Sequence, residues 1–176
     1  MNENTRGKRL FSIGHSNKSI DQFISELKDF GTEVLIDVRS KPYSRRFPYF
    51  NKEFLNQHLE SAGIKYVYLG DLLGGLPNDP SCYTNGKVDY NKLRKKDYFR
   101  KGIELLKEIY STGIKAAIMC SEGNPAHCHR TLLIGVELSK EGIELEHIVV
   151  KGDKTILKPQ KEVIKEAFPR GTRSLF

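Results

Sequence analysis

The stretch Ala116–Arg130, A-A-I-M-C-S-E-G-N-P-A-H-C-H-R, decides the fold of this chain. Its apolar run, which ends at Met119, predicts a buried strand, and the amphipathic segment that begins at Pro125 predicts a helix. Proline suits the first turn of a helix, because the N–H groups there have no acceptor within the helix. The stretch therefore predicts a strand, a turn and a helix in direct succession, which is the repeating unit of an α/β fold.

Reactive side chains are concentrated at this junction. Two thiols, a carboxylate, two imidazoles and a guanidinium fall within eleven residues, at Cys120, Glu122, His127, Cys128, His129 and Arg130. Open α/β sheets form their sites at the carboxyl ends of strands, and a helix N-terminus attracts anions. We therefore interpret the cluster as functional. Two structural alternatives remain open, in which Cys120 is a small core residue and at least one imidazole only packs or caps.

Strands and helices alternate along the whole chain. The five predicted strands cover residues 10–13, 33–38, 64–69, 114–119 and 145–150. Helical periodicity covers residues 19–30, 51–62, 89–111, 125–140 and 160–168. Residues 1–9 are expected to form a flexible arm, and residues 76–91 a long exposed loop. We predict a single α/β domain over residues 1–176, with three layers, a mostly parallel five-stranded sheet and helices on both faces.

The composition indicates a soluble protein with an anionic partner. Hydrophobic residues make up 38% and charged residues 29% of the 176 residues, which is typical of a globular chain with one core. No apolar run is long enough to span a bilayer and the first residues are polar, so we expect a cytoplasmic protein without a membrane partner. The three cysteines are an odd number, which favours free thiols. A net charge of +7 favours a nucleic acid, a nucleotide or another phosphate ester.

Four of the predicted strands end in polar residues or glycines. These residues are His15 and Ser16, Asp37 and Arg39, Gly74 and Gly75, and Cys120 and Glu122. Because parallel strands end at the same edge of a sheet, we expect all of these residues to lie along one rim.

The order of these motifs resembles the DUF488 family, a domain of unknown function. The motifs are Gly14-His15-Ser16, Asp37-Val38-Arg39 with Pro42 and Ser44, Leu73-Gly74-Gly75, and Cys120-Ser121-Glu122 with Cys128-His129-Arg130. The resemblance implies that the motif residues form a site shared by the family, and it leaves the reaction open.

The rim suits an enzyme that acts on a nucleotide or nucleic acid by hydrolysis or group transfer at a phosphate or glycosidic centre. Such reactions need an anion clamp and an acid, base or nucleophile held against the substrate. Arg39 and Arg130 are the candidate clamp. The candidate catalytic residues are Glu122, Cys120, Asp37 and His15, and the candidate substrate-loop residues are Ser16, Gly74, Gly75, Cys128 and His129.

Two of the catalytic candidates have competing interpretations. Asp37 could instead form a structural pair with Arg39, Arg130 or a histidine. Cys120 could be a nucleophile whose thiolate is favoured by a helix N-terminus and by cations. A phosphatase-type loop, however, would need an arginine six positions after its cysteine, and position 126 is alanine.

The segment Arg39–Phe50 alternates cations with aromatic residues and has neither helical nor strand periodicity. Cations and a hydroxyl in it are expected to contact phosphates, and an aromatic ring to stack on an unpaired base. The candidates in this segment are Arg39, Ser44, Arg45, Arg46 and Tyr43. The segment also favours an alternative function, a non-catalytic DNA- or RNA-binding module.

Zinc is the remaining alternative, because Cys120, Cys128 and the nearby histidines include ligand types that zinc prefers. The chain has no C-x-x-C pair, however, and Pro125 follows Glu122 too closely for the zinc deaminase pattern. We therefore expect no cofactor, with a zinc-dependent enzyme as the alternative.

Overall fold

The computed structural model describes residues 7–171. Its strands are β1 (Leu10–Gly14), β2 (Val34–Asp37), β3 (Lys65–Tyr68), β4 (Tyr83–Thr84), β5 (Lys87–Val88), β6 (Ala116–Cys120), β7 (Leu145–Lys151) and β8 (Lys154–Pro159). Its α-helices are α1 (Ile20–Asp29), α2 (Lys52–Ser61), α3 (Gly70–Leu73), α4 (Tyr90–Leu93), α5 (Asp97–Thr112), α6 (Val136–Lys140) and α7 (Gln160–Ala167). Of the arm predicted for residues 1–9, residues 1–6 lie outside the described residues.

Six strands form one mixed sheet in the order β3-β2-β6-β1-β7-β8. The first five strands in this order are parallel, whereas β8 is antiparallel to β7. The predicted sheet of five strands therefore lacked the edge strand β8. This strand was missed because its side chains are mostly half-exposed and form no buried apolar run. The Gly152-Asp153 turn that joins β7 to β8 is the hairpin signal that the sequence does carry.

Strand β6 lies between β1 and β2 and fixes the edge at which all three end. Gly14 is opposite Cys120, and Asp37 is opposite Met119, so the carboxyl ends of the three strands are level. All five residues of β6 are buried, which is why the segment is apolar throughout. The register therefore brings the loops that follow β1, β2 and β6 to one edge of the sheet.

Helices pack on both faces of the sheet, which confirms the α/β class. One face is covered by α1 and α2, through side chains that include Phe23, Leu27, Leu55 and Leu59. The other face is covered by α3, α5 and α6, through side chains that include Leu73, Phe99, Leu106 and Leu138. Within residues 7–171, no helix combines the length and the apolar character needed to cross a bilayer.

The helix predicted over residues 125–140 is interrupted. A one-turn 3-10 helix spans Pro125–His127, and Cys128 then adopts an extended conformation with φ −113° and ψ 146°. A π-helical turn, Arg130–Gly135, follows and leads into α6. π-helical turns within helices are rare and occur often at functional sites. The helix predicted over residues 89–111 is likewise divided into α4 and α5, because Lys96 between them is extended.

Residues 76–91, which were expected to form a long exposed loop, contain local structure. The 3-10 helix Pro80–Cys82 precedes a two-stranded hairpin of β4 and β5. The Cys82 side chain is fully buried, and Tyr83 and Val88 pack against the same core. Most of the other side chains in the segment are exposed or half-exposed. Buried anchors therefore hold a mostly exposed segment against the body of the protein.

Gly14 provides a test of how closely the loop after β6 approaches β1. A Cβ atom at Gly14 would collide with the main-chain carbonyl of Glu122. We expect Gly14→Ala to lower the free energy of unfolding by about 3 kcal/mol, because overpacking forces the backbone apart. Urea unfolding measures this change. At the control position Gly123, a Cβ would meet only the Ser16 side chain, at 3.0 Å. Gly123→Ala should cost less than half as much, and an equal cost for both variants would contradict the prediction.

Candidate functional site

Two cysteines are in contact at the carboxyl end of β6. Cys120 is the last residue of this strand, and Cys128 follows the 3-10 helix Pro125–His127. Their Sγ atoms are 2.7 Å apart, and each residue is only 3% exposed. The third free cysteine, Cys82, lies elsewhere, and its Sγ is 3.4 Å from the Tyr98 hydroxyl. The extended conformation of Cys128 therefore places its thiol against that of Cys120.

Arg130 lies against both sulfurs and is itself only 1% exposed. Its Nε is 3.0 Å from Cys120 Sγ and 3.2 Å from Cys128 Sγ. The two remaining nitrogens donate to the Glu122 carbonyl, at 2.6 Å, and to Ser12 Oγ, at 2.8 Å. A guanidinium stays charged at all physiological pH values, and a buried charge is costly unless it is paired. The partner charge that this geometry offers is a thiolate on one of the two cysteines.

The two thiols have opposite pKa shifts. Burial raises the pKa of Cys120, and its hydrogen bond with Cys128 raises it further. Burial also raises the pKa of Cys128, but the hydrogen bond with Cys120, the Arg130 charge and His129 together outweigh burial and lower it. One proton shared between the two sulfurs, with one thiolate against Arg130, satisfies this geometry.

His129 adds an imidazole to the thiolate. Its Nε2 lies 3.1 Å from the Val38 carbonyl oxygen, which can only accept, so Nε2 carries a hydrogen. Its Nδ1 then faces Cys128 Sγ at 3.6 Å. Gly75 packs against this ring, where a Cβ would lie 2.9 Å from its Cγ. A nucleophile beside a base that a third group orients is the arrangement of an activated cysteine.

Cys120, Cys128 and His129 could also hold a metal ion, because their ligand atoms all lie within 4.8 Å of one another. Two thiolates and an imidazole suit zinc. Arg130, however, already places a positive charge against both sulfurs. A divalent cation at the same sulfurs would be repelled by this charge, so the electrostatics favour the thiolate–guanidinium pair.

A chain of buried hydrogen bonds extends from Arg130 through Ser12 and His147 to Gln160. Gln160 Nε2 donates to the Thr131 carbonyl, so Gln160 Oε1 faces His147 Nε2 at 2.7 Å and accepts its hydrogen. The neutral His147 ring then accepts at Nδ1 from the Ser12 hydroxyl at 2.6 Å, and Ser12 Oγ accepts from Arg130. Ser12, His147 and Gln160 are each at most 2% exposed. Sequence analysis missed all three, although a polar residue within each of the apolar strands β1 and β7 was a usable signal.

Asp37 and Arg39 form a second buried centre. Arg39 Nε and Nη2 donate to the two carboxylate oxygens of Asp37 at 2.9 and 2.7 Å, and Nη2 also donates to the Phe50 carbonyl at 2.8 Å. The Tyr66 hydroxyl donates to the same carboxylate at 2.6 Å. Of the two interpretations of Asp37, the structure therefore shows the pair with Arg39. Tyr66 was not among the predicted residues.

His15 completes this centre from the end of β1. Its ring stacks on Phe50 with 4.2 Å between centroids, and its Nδ1 donates to the Ser16 carbonyl at 2.9 Å. Its Nε2 is 3.5 Å from Arg39 Nη1 and accepts from it. Burial lowers the pKa of His15 to about 4, and the Arg39 charge lowers it as well. His15 is therefore neutral at pH 7 and helps to hold Arg39.

A cleft of about 290 Å³ joins the two centres at the predicted rim. Its lining includes Arg39, Gly75, Cys120, Glu122, Cys128 and His129. Glu122 lies exposed on this lining, and its Oε1 accepts from the Asn124 N–H at 2.9 Å. The buried guanidinium groups of Arg39 and Arg130, the predicted phosphate clamp, have the protein partners described above, and Arg39 lies on the cleft lining.

Two predicted loop residues lie away from the thiols. Ser16, in the left-handed conformation with φ 48°, lines a separate cavity of about 690 Å³ between the β1 loop and strands β7 and β8. Gly74 lies beside Ser40, whose Oγ accepts from the Leu76 N–H at 2.8 Å. Of the predicted substrate-loop residues, Gly75, Cys128 and His129 are the ones that line the thiol cleft.

The basic aromatic segment runs from Arg39 to the fully buried Phe50, which anchors it. Tyr43 is 67% exposed, and Arg45 and Arg46 are exposed beside it. Ser44 is occupied within the segment, since its N–H donates to Asn51 Oδ1 at 2.6 Å and its Oγ accepts from the Phe47 N–H at 3.0 Å. The segment therefore presents one aromatic ring and two guanidinium groups to solvent.

Fold and site together define an α/β protein with two cysteines and a buried arginine in contact at the carboxyl edge of its sheet. The family model described as Domain of unknown function DUF488 matches residues 19–136, which is most of the chain, and the protein belongs to this family. The matched range contains the motifs after β2, β3 and β6 and begins after Gly14-His15-Ser16. No significant match was found among curated proteins or among solved structures.

The buried histidines predict an acid-sensitive fold. Burial lowers the pKa of both His15 and His147 from 6.5 to about 4. Between these values the unfolded chain binds more protons than the folded chain, so stability should fall as the pH decreases from 6.5 to 4. Each histidine contributes about 3 kcal/mol to this loss.

Urea unfolding between pH 4 and pH 7.5 tests this prediction. His147→Gln should reduce the loss of stability over the window by about half, because one of the two buried imidazoles is removed. His58→Gln changes an exposed histidine of α2 and is the matched control. A free energy of unfolding that does not change over this window would contradict the prediction.

Proposed function

We propose that this protein is an enzyme that uses the Cys128 thiolate as a nucleophile for group transfer or hydrolysis on a phosphate-bearing substrate, a nucleotide or a nucleic acid. The observation that carries the proposal is the position of Cys128 Sγ on the cleft, in contact with Cys120, Arg130 and His129. The sequence analysis named Cys120 and Glu122 among its catalytic candidates. The geometry favours Cys128 in place of Cys120.

The surroundings of Cys128 support the role of nucleophile. A thiolate is the reactive form of cysteine, and nearby cations and hydrogen-bond donors increase its population at neutral pH. Arg130 supplies the cation, and the Cys120 S–H supplies the donor. Nδ1 of His129 lies where it can take the Cys128 proton, and the Val38 carbonyl keeps the ring in that orientation.

The reaction follows from these positions. The Cys128 thiolate attacks the electrophilic centre of the substrate and forms a covalent bond through sulfur, and the leaving group departs with its electron pair. His129, protonated at Nδ1, gives its proton to the leaving group. Water or an acceptor hydroxyl then attacks the same centre, loses a proton to His129 and releases the thiolate. The exposed Glu122 carboxylate at the cleft is placed to orient this second nucleophile.

The substrate class rests on charge and exposure. Lys41 lies on the lining of the cleft, and Arg45 and Arg46 are exposed further along the same segment. Tyr43 offers a ring on which a base can stack. Together with the net charge of +7, these groups favour a substrate with phosphates and a base.

Alkylation with iodoacetamide tests the nucleophile. We expect Cys128 to be labelled first, with a rate that stays nearly constant between pH 6 and 8, because the thiolate is already formed. An ordinary thiol with a pKa of about 8.5 would instead react about tenfold faster for each pH unit in the lower part of this range. Mass spectrometry of the labelled peptides gives the site and the rate.

Cys128→Ser should remove the fast label, and Cys82→Ser, at the separate buried cysteine, should keep it. Equal and slow labelling of all three cysteines would contradict a Cys128 thiolate. Elemental analysis of the same purified samples covers the zinc alternative. One zinc per chain that is lost in Cys128→Ser would replace the proposed nucleophile with a zinc-dependent enzyme.

Binding of a fluorescent single-stranded oligonucleotide tests the substrate class. Affinity should fall with salt, and Arg45→Ala/Arg46→Ala should make the salt dependence shallower by about 0.7 in logarithmic slope for each lost phosphate contact. Tyr43→Ala should weaken binding about tenfold, because one stacked base is lost.

Arg100→Ala/Lys101→Ala removes two exposed cations from α5 and is the matched control. No binding at low salt would leave a small nucleotide as the substrate. Binding that persists while Cys128 shows no thiolate reactivity would favour the non-catalytic DNA- or RNA-binding module.

A further inference from the structure

We propose that Cys120 and Cys128 also form a redox centre, which reduces hydroperoxides and cycles between the dithiol and a Cys120–Cys128 disulfide. The juxtaposition that carries this inference is the 2.7 Å contact between two sulfurs on one cleft. The inference rests on the same Cys128 thiolate as the proposed function. It does not depend on the substrate that is proposed there.

The positions of the two cysteines suit a reversible bond. Cys120 is fixed at the end of the central strand, and Cys128 follows the short 3-10 helix and is not within a regular helix. The sulfurs already touch, so only a small adjustment separates the contact from a bond of about 2.05 Å. Both residues are on the cleft lining, where a molecule as small as hydrogen peroxide has access.

The oxidation balances as a two-electron reaction. The Cys128 thiolate attacks one peroxide oxygen, the O–O bond breaks, and the departing hydroxide takes a proton from solvent to give water and a sulfenic acid on Cys128. The Cys120 thiol then loses its proton and attacks the Cys128 sulfur. The hydroxide displaced from the sulfenic acid takes that proton and leaves as a second water. An external dithiol returns the disulfide to two thiols by exchange.

Arg130 makes this disulfide easy to reduce. In the dithiol form, the buried guanidinium lies against a thiolate. In the disulfide form that negative charge is gone, and Arg130 keeps only the uncharged Ser12 hydroxyl and Glu122 carbonyl. A couple whose reduced form is stabilised by the protein is oxidising. The bond is therefore suited to turnover and not to structural reinforcement.

Peroxide treatment of the whole chain tests the inference. After reduction with dithiothreitol and its removal, a small excess of hydrogen peroxide should lower the number of free thiols from three to one. The intact mass should fall by two hydrogen atoms, the peptides of Cys120 and Cys128 should be linked, and dithiothreitol should restore all three thiols. The melting temperature of the oxidised protein should be several degrees lower than that of the reduced protein, because Arg130 loses its counter-charge.

Three variants assign the steps. Cys120→Ser should stop at a sulfenic acid on Cys128, which dimedone traps. Cys128→Ser should slow peroxide consumption at least tenfold. Cys82→Ser is the matched control, and its number of free thiols should fall from two to none.

The inference is overturned if all three thiols survive peroxide, if Cys128 proceeds to a sulfinic acid without linking to Cys120, or if oxidation raises the melting temperature. The two proposals fail separately. Fast alkylation of Cys128 without disulfide formation would remove the redox centre and leave the proposed function. A disulfide that forms while alkylation is slow would remove the proposed nucleophile.

Discussion

A buried guanidinium charge organises this protein. Arg130 is almost fully enclosed, and its hydrogen bonds reach strand β1 through Ser12, the loop after β6 through the Glu122 carbonyl, and both cysteine sulfurs. An unpaired charge in such a place would cost several kcal/mol. Negative charge on the sulfurs therefore stabilises Arg130 in its buried position, and this links the packing of the sheet edge to the protonation of the thiols.

The neighbouring centre of Asp37 and Arg39 contains a carboxylate, which the thiol centre lacks. Arg39 is neutralised by the Asp37 carboxylate, and the Phe50 carbonyl, the Tyr66 hydroxyl and the neutral His15 imidazole take part in further hydrogen bonds at this centre. In residues 7–171, Arg130 forms no ion pair with a carboxylate, and its anionic partners are sulfurs. A carboxylate would satisfy the guanidinium permanently. A thiolate satisfies it and remains a nucleophile, so in the proposed function Arg130 maintains a reactive group, whereas Arg39 is held by a carboxylate.

Sequence alone was sufficient for the parts of the structure that depend on local patterns. Apolar runs located the five parallel strands, and the rule that parallel strands end at one edge brought Asp37, Arg39, Cys120 and Glu122 to the same rim. The half-exposed edge strand β8 was missed because it has no buried run. Ser12 and His147 were missed for a different reason. They face each other on neighbouring strands, but 135 residues separate them in the chain, and no local pattern reports such a pair.

The largest local error, the continuous helix predicted over residues 125–140, has its cause in the site. Residues two apart on an α-helix point to different sides, so a regular helix would separate the side chains of Cys128 and Arg130. In the structure these side chains are 3.2 Å apart, and the extended Cys128 and the π-helical turn Arg130–Gly135 make this contact geometrically possible. The hydrophobic pattern of residues 125–140 favours a regular helix, whereas the buried guanidinium of Arg130 is stabilised by a sulfur beside it. The irregular backbone is thus the conformation in which the buried charge lies against the sulfurs, and under the proposed function this contact keeps Cys128 in its reactive form.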